Sequence, residues 1–200
     1  GINYGTYIGH SALRTYAMGE RAFSEAATAD DLKCMQEEVQ DAIRAGAIGF
    51  STSRTMNHLT ADDRPVASRL ADWSEVCSIV NAMGEAGGGI FELASEEPGR
   101  NPQRRQDYFD RLKALAIESK CPITYGMPSI RIAPELWPAF YDLGSEVEAA
   151  GGKLFVQAHS RSISTMLSFL SKTPFDAWDV WRDVRAKPIE EQKVLMRDPE

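Results

Sequence analysis

Apolar residues recur along the chain with two periods that take turns. Short runs of small, β-branched or aromatic residues, at 2–8, 47–52, 89–94, 122–127 and 154–158, read as buried strands. Between them, apolar positions fall three or four residues apart. Leu32, Met35, Val39, Ala42 and Ile43 make one such helical face, and Trp73, Val76, Cys77, Val80 and Met83 a second. Tyr108, Leu112, Leu115 and Ala116 form a third, and Leu136, Phe140, Leu143 and Val147 a fourth. Thr28 reads as the N-cap of the first of these helices, with Asp31 as its capping-box partner. Gly46, Gly87-Gly88-Gly89 and Gly151-Gly152 stand where helices stop. A loop is read after Gly9-His10-Ser11, through Gly19-Glu20-Arg21, and residues 162–200 as helices punctuated by Pro174 and Pro188.

Strands separated by one helix each imply parallel pairing through right-handed crossovers. The expected fold class is therefore α/β in a single domain over 1–200, with about five parallel strands. Two architectures fit: an open doubly wound sheet, or part of a (β/α) barrel, which typically needs about 250 residues. Five strands cannot close that barrel.

Charge narrows the class of partner. Lys plus Arg number 22 against 29 for Asp plus Glu, a net charge of −7 without a basic stripe, which argues against nucleic acid. No apolar run approaches the ~20 residues of a membrane span. The opening residues lack a basic start and an apolar core, so no signal peptide is read there, and without an initiating Met the sequence reads as a piece of a longer chain. Cys34, Cys77 and Cys121 are odd in number and far apart, which suggests buried thiols in a reducing cytoplasm. Gly84-Glu85-Ala86-Gly87-Gly88-Gly89 follows a helix and opens a strand, the reverse of a dinucleotide-binding loop.

Candidate chemistry gathers at the carboxyl ends of the expected strands, where parallel α/β folds bind ligands. His10, His58 and His159 all lie there, without the paired spacing of a zinc motif. Glu92 interrupts an apolar strand, and Gln157 takes a similar position in the last one. Arg54, Arg131 and Arg161 follow three different strands, in position to clamp a substrate carboxylate. The candidate binding set for a small-molecule substrate is Arg54, His58, Glu92, Gln157, His159 and Arg161.

Three blocks then carry a family likeness: Gly9-His10-Ser11-Ala12-Leu13-Arg14, Tyr16-Ala17-Met18-Gly19-Glu20-Arg21-Ala22, and Gly46-Ala47-Ile48-Gly49-Phe50-Ser51-Thr52-Ser53-Arg54. With Asp63-Arg64-Pro65-Val66-Ala67-Ser68 and, more loosely, Thr173-Pro174-Phe175, they resemble the N-acyl-D-amino-acid deacylase (D-aminoacylase) branch of the amidohydrolase superfamily. The resemblance implies a TIM-like barrel of which this chain is the middle. It also implies a parent hydrolase that uses zinc to activate water against the amide of an N-acyl-D-amino acid. Family members carry a metal-binding histidine on each of two central strands. Here those strands read Ile90-Phe91-Glu92-Leu93-Ala94 and Ile123-Thr124-Tyr125-Gly126-Met127-Pro128, with Met127 where a histidine is expected. A divergent sub-branch is implied, in which this piece holds no stoichiometric zinc. The alternative is an α/β domain that binds a small molecule or partner after losing its metal. A barrel cut at both ends is also expected to self-associate through its unpaired edges.

Overall fold

A computed structural model describes residues 1–96, 101–127, 134, 136–158, 160–161, 164, 166–170, 173–176 and 178–197. The chain forms two compact units, Gly1–Ala158 and His159–Glu200. Five strands make one parallel sheet in the first unit: β1 (Tyr7–Gly9), β2 (Gly49–Ser53), β3 (Ile90–Ala94), β4 (Ile123–Gly126) and β5 (Leu154–Gln157). Their spatial order equals their sequence order, with β1 and β5 at the edges. A dinucleotide-binding sheet would reverse direction midway. This one does not: it is an open parallel α/β sheet whose sequential order fits part of a (β/α) barrel.

The helices of this unit are α1 (His10–Met18), α2 (Ala29–Arg44), α3 (Trp73–Glu85), α4 (Pro102–Glu118) and α5 (Leu136–Ala149). Strand periodicity divides the sheet into two unlike faces. Phe50, Phe91, Leu93, Ile123, Tyr125 and Leu154 point one way and pack with Val39, Val76, Ile79, Leu112, Phe140 and Val147 in one core. Phe50 stacks on Phe91 with ring centroids 5.8 Å apart. The residues between them face the other way. On that face Gly9, Ser51, Glu92, Thr124 and Phe155 lie in register across all five strands. Its centre is polar, whereas the helix-covered face is apolar.

Local sequence accounts for most boundaries. Thr28 accepts from Asp31 N, and the Asp31 carboxylate accepts from Thr28 N at 2.9 Å, closing the capping box of α2. A cap of this kind contributes ~1 kcal/mol. Hydrogen bonds from Arg21 first, then from Thr28, bring the Asp31 pKa down to about 2. At the other end of α2, Gly46 takes φ +101°, a left-handed turn that glycine adopts without penalty. Pro138 sits at the third residue of α5, within the first turn.

Three details depart from the sequence reading. The first strand covers only Tyr7–Gly9, which pair with Gly49, Phe50 and Ser51: β2 begins at Gly49, and the chain turns into α1 at His10. Ile2 and Tyr4 are exposed. The expected loop after Gly9 begins instead with helix α1, whose buried positions are His10, Leu13, Arg14 and Met18; the two polar residues among them hide the helical period. All three cysteines are thiols, but Cys34 and Cys77 are only half-buried; Cys121 is buried. In the second unit, α6 (Asp179–Arg185) and α7 (Ile189–Leu195) accompany a ring cluster of Phe169, Phe175, Trp178 and Trp181. Pro188 is the N-cap of α7. Among the described residues no helix is long and apolar enough to cross a membrane.

Candidate functional site

The carboxyl ends of β1, β2 and β3 open onto a cleft of about 350 Å3. Gly9, His10, Ser11 and Ala12 line it from the start of α1, and Ser51, Thr52 and Ser53 from β2. His58 and Ser68 come from the loop that follows β2, and Glu92 and Ala94 from β3. Its volume falls within the range of small-molecule sites.

Beneath the cleft runs a buried chain of polar groups. Glu75 Oε2 accepts from Arg14 Nη1, and Glu75 Oε1 lies 2.8 Å from His10 Nε2. The other ring nitrogen, Nδ1, lies 2.8 Å from Thr52 Oγ1. All four side chains are buried. Burial pushes the Glu75 carboxyl up, but the hydrogen bonds from His10 and Arg14 outweigh it and hold the group below its ordinary value. Burial pulls the His10 imidazole down, and Glu75 offsets this only in part. Arg14 and ionised Glu75 thus form a neutral pair, and a second buried positive charge on His10 would break that balance. The tautomer follows: Nε2–H donates to Glu75, and Nδ1 accepts the Thr52 hydroxyl proton.

Sequence pairs that look remote produce this arrangement. His10 and Arg14 lie one turn apart on the inward face of α1, while Glu75 shares the apolar stripe of α3 with Ile79 and Met83. The His10 ring also meets Phe50 edge-on at 5.2 Å. A carboxylate on an otherwise apolar helix face was the readable signal for Glu75. Arg14 and Thr52 lay inside the family-like blocks without a role of their own.

A serine wall completes the cleft. Ser11 Oγ donates to Ser68 Oγ at 2.9 Å, and Ser68 Oγ donates to the Ser53 carbonyl at 2.8 Å. Ser68 N returns a bond to Ser11 Oγ. At the mouth, Ser53 Oγ and His58 Nδ1 are 2.5 Å apart, a hydroxyl–imidazole pair. On the polar face of the sheet Gln157 Nε2 donates to Thr124 Oγ1 at 3.0 Å.

Of the candidate residues, the cleft brings together His58 and Glu92. Gln157 lies farther along the sheet, paired with Gly126. Arg54 is engaged elsewhere: its Nε donates to Glu96 and its Nη1 to the Ala71 carbonyl, both at 2.7 Å. Arg111 holds the other oxygen of Glu96 at 3.0 Å. Burial pushes the Glu96 carboxyl up, and the two guanidinium groups more than reverse this. Arg161 is exposed in the second unit. His159 and Arg131 lie outside the described residues.

The zinc implied by the family likeness can be tested on these donors. Among the described residues no three His, Cys, Asp or Glu side chains group to hold a metal ion. His10 has no lone pair to give, since one nitrogen carries the proton to Glu75 and the other accepts from Thr52. Glu75 is occupied by His10 and Arg14. The described residues do not fit a zinc centre. Comparison with protein-family models, with characterised proteins and with solved structures gives no match.

Proposed function

We propose that this chain is the central section of an amidohydrolase barrel whose whole protein cleaves a non-peptide C–N bond, with N-acyl-D-amino acids as the substrate class. One observation carries the reading. The blocks that bear the family likeness are far apart in sequence, yet they supply His10, Ser11, Ser51, Thr52, Ser53 and Ser68 to one cleft. That cleft stands at the carboxyl ends of consecutive parallel strands, where barrel enzymes bind substrate. In this reading the serine wall orients the acyl amide by hydrogen bonds. The Ser53–His58 pair takes or gives a proton at the cleft mouth as the amine leaves.

The test is release of amino acid from N-acyl-D-amino acids by the whole protein, with the L-forms as controls. D-selective turnover is expected, and His58→Gln is expected to lower kcat by about 100-fold or more with little change in KM. Turnover that is absent, or indifferent to His58→Gln, contradicts the proposal. A second reading, a small-molecule-binding domain without catalysis, draws on the poor fit of the described donors to zinc. Saturable binding without turnover distinguishes it.

A further inference from the structure

We propose that the cleft recognises a positively charged group, an ammonium or guanidinium, with Glu92 as its counter-ion. Resting on the hydrolase reading, this makes the preferred substrate an acyl amide that carries a basic side chain.

Hydrogen-bond accounting points to a donor-rich ligand. The Ser11 hydroxyl proton is spent on Ser68, the Ser68 proton on the Ser53 carbonyl and the Thr52 proton on His10. What these oxygens can still offer is lone pairs. Along Ser11, Ser68 and Thr52 an entering carboxylate would meet acceptors and N–H groups would be satisfied; the Ser51 hydroxyl, for which no acceptor is found among the described residues, is a donor left on the wall.

Charge gives the same answer. Glu92 is the one Asp, Glu, Lys or Arg among the lining residues. It stands on the polar face of β3, in register between Ser51 and Thr124. Among the described residues it has no ion pair. The other carboxylates beneath or beside the cleft are each held twice, Glu75 by His10 and Arg14 and Glu96 by Arg54 and Arg111. The arginines nearby are committed in turn. Arg14, Arg54 and Arg111 serve those two carboxylates, and Arg69 donates to the Met56 and His58 carbonyls. The field of Glu92 is felt on its own face, where the Tyr7 phenol is raised, first by burial and then by that charge. Two contributions oppose it: the Arg69 guanidinium, which among the described residues holds carbonyl oxygens and no carboxylate, and the amino-terminal end of α1, which also borders the cleft. The helix end carries a partial charge of about half a unit, and Arg69 stands at the loop behind His58, whereas Glu92 lines the cleft itself. A concave wall around a single unmatched charge concentrates the opposite ion.

Calorimetric titration of the whole protein with n-butylammonium and propylguanidinium tests this, with n-butanol and butyrate as neutral and anionic counterparts. Both cations are expected to bind at least about tenfold more tightly than either counterpart, and less tightly as salt is added. Glu92→Gln should remove the preference, and Glu92→Asp, which keeps the charge, should retain it. Equal binding of butyrate, no binding of either cation, or a preference that survives Glu92→Gln would overturn the proposal. Hydrolysis is read separately, on the whole protein, with Nα-acetyl-D-lysine and N-acetyl-D-leucine. Cation binding without turnover of either substrate would leave this site standing and remove the hydrolase. Turnover of the leucine derivative without cation binding would do the opposite.

Discussion

Glu75→Ala is expected to cost about 3–5 kcal/mol of folding stability, the largest loss from any single polar side chain in the cleft or the chain of groups beneath it. The reason is what it leaves behind. Arg14 is fully buried, and without Glu75 it keeps only carbonyl partners, Glu25 O at 2.8 Å and Ala22 O at 3.4 Å. An uncompensated buried guanidinium is far more costly than the intact pair is stabilising. Arg14→Met combined with Glu75→Leu is therefore expected to recover much of the loss, since both charges then go together. Urea denaturation read by circular dichroism gives the values. A loss below about 1 kcal/mol for Glu75→Ala would mean that water reaches Arg14.

The same chain of groups sets a pH dependence with a definite sign. His10 folds with its pKa below the ordinary 6.5, so the unfolded chain binds its proton first. Stability from this site is present above about 6.5 and falls as pH drops below it. Glu75 folds with its pKa below 4.5, and its contribution falls at lower pH still, below that ordinary value.

Gly49→Ala is the second large effect. A Cβ at Gly49 would lie 1.9 Å from the Ile90 carbonyl oxygen and 2.7 Å from Ile90 N. These are backbone atoms of the neighbouring strand, fixed by the bond from Ile90 N to Ile48 O at 3.0 Å. No side chain can rotate out of the way. The strands themselves must separate, directly below Ser51 and Glu92. The expected cost is about 3 kcal/mol or more, at or past the upper end of ordinary overpacking. Gly126→Ala is the control, because nothing lies within 4 Å of its Cβ position. It is expected to change stability by less than about 0.5 kcal/mol. Equal midpoints for the two variants would contradict the close approach of β2 and β3.

Strand–helix alternation is a local property, and the parallel α/β sheet was legible for that reason. The errors came where tertiary partners decide. Ile2 and Tyr4 have strand-like chemistry, but β1 pairs only over Tyr7–Gly9, since its neighbour β2 begins at Gly49, opposite Tyr7. Helix α1 was hidden because its inward face carries His10 and Arg14, whose burial depends on Glu75, more than sixty residues away. The site divides along the same line. His58 and Glu92 stood out as polar residues at strand ends, and both line the cleft. Arg54 reads as a clamp for a substrate carboxylate from its place after β2, yet Glu96 already occupies it. Nothing in its own stretch of sequence marks that partner.

Ligand mapping by amide chemical shifts of the 15N-labelled chain, titrated with Nα-acetyl-D-lysine, tests the central claim most directly. The account predicts shifts concentrated at residues 9–12, 51–53, 58, 68 and 92–94, the strand ends and loop that enclose the cleft. Shifts concentrated elsewhere, for instance along the groove between α5 and β5 lined by Tyr141, Gly144 and Phe155, would contradict it.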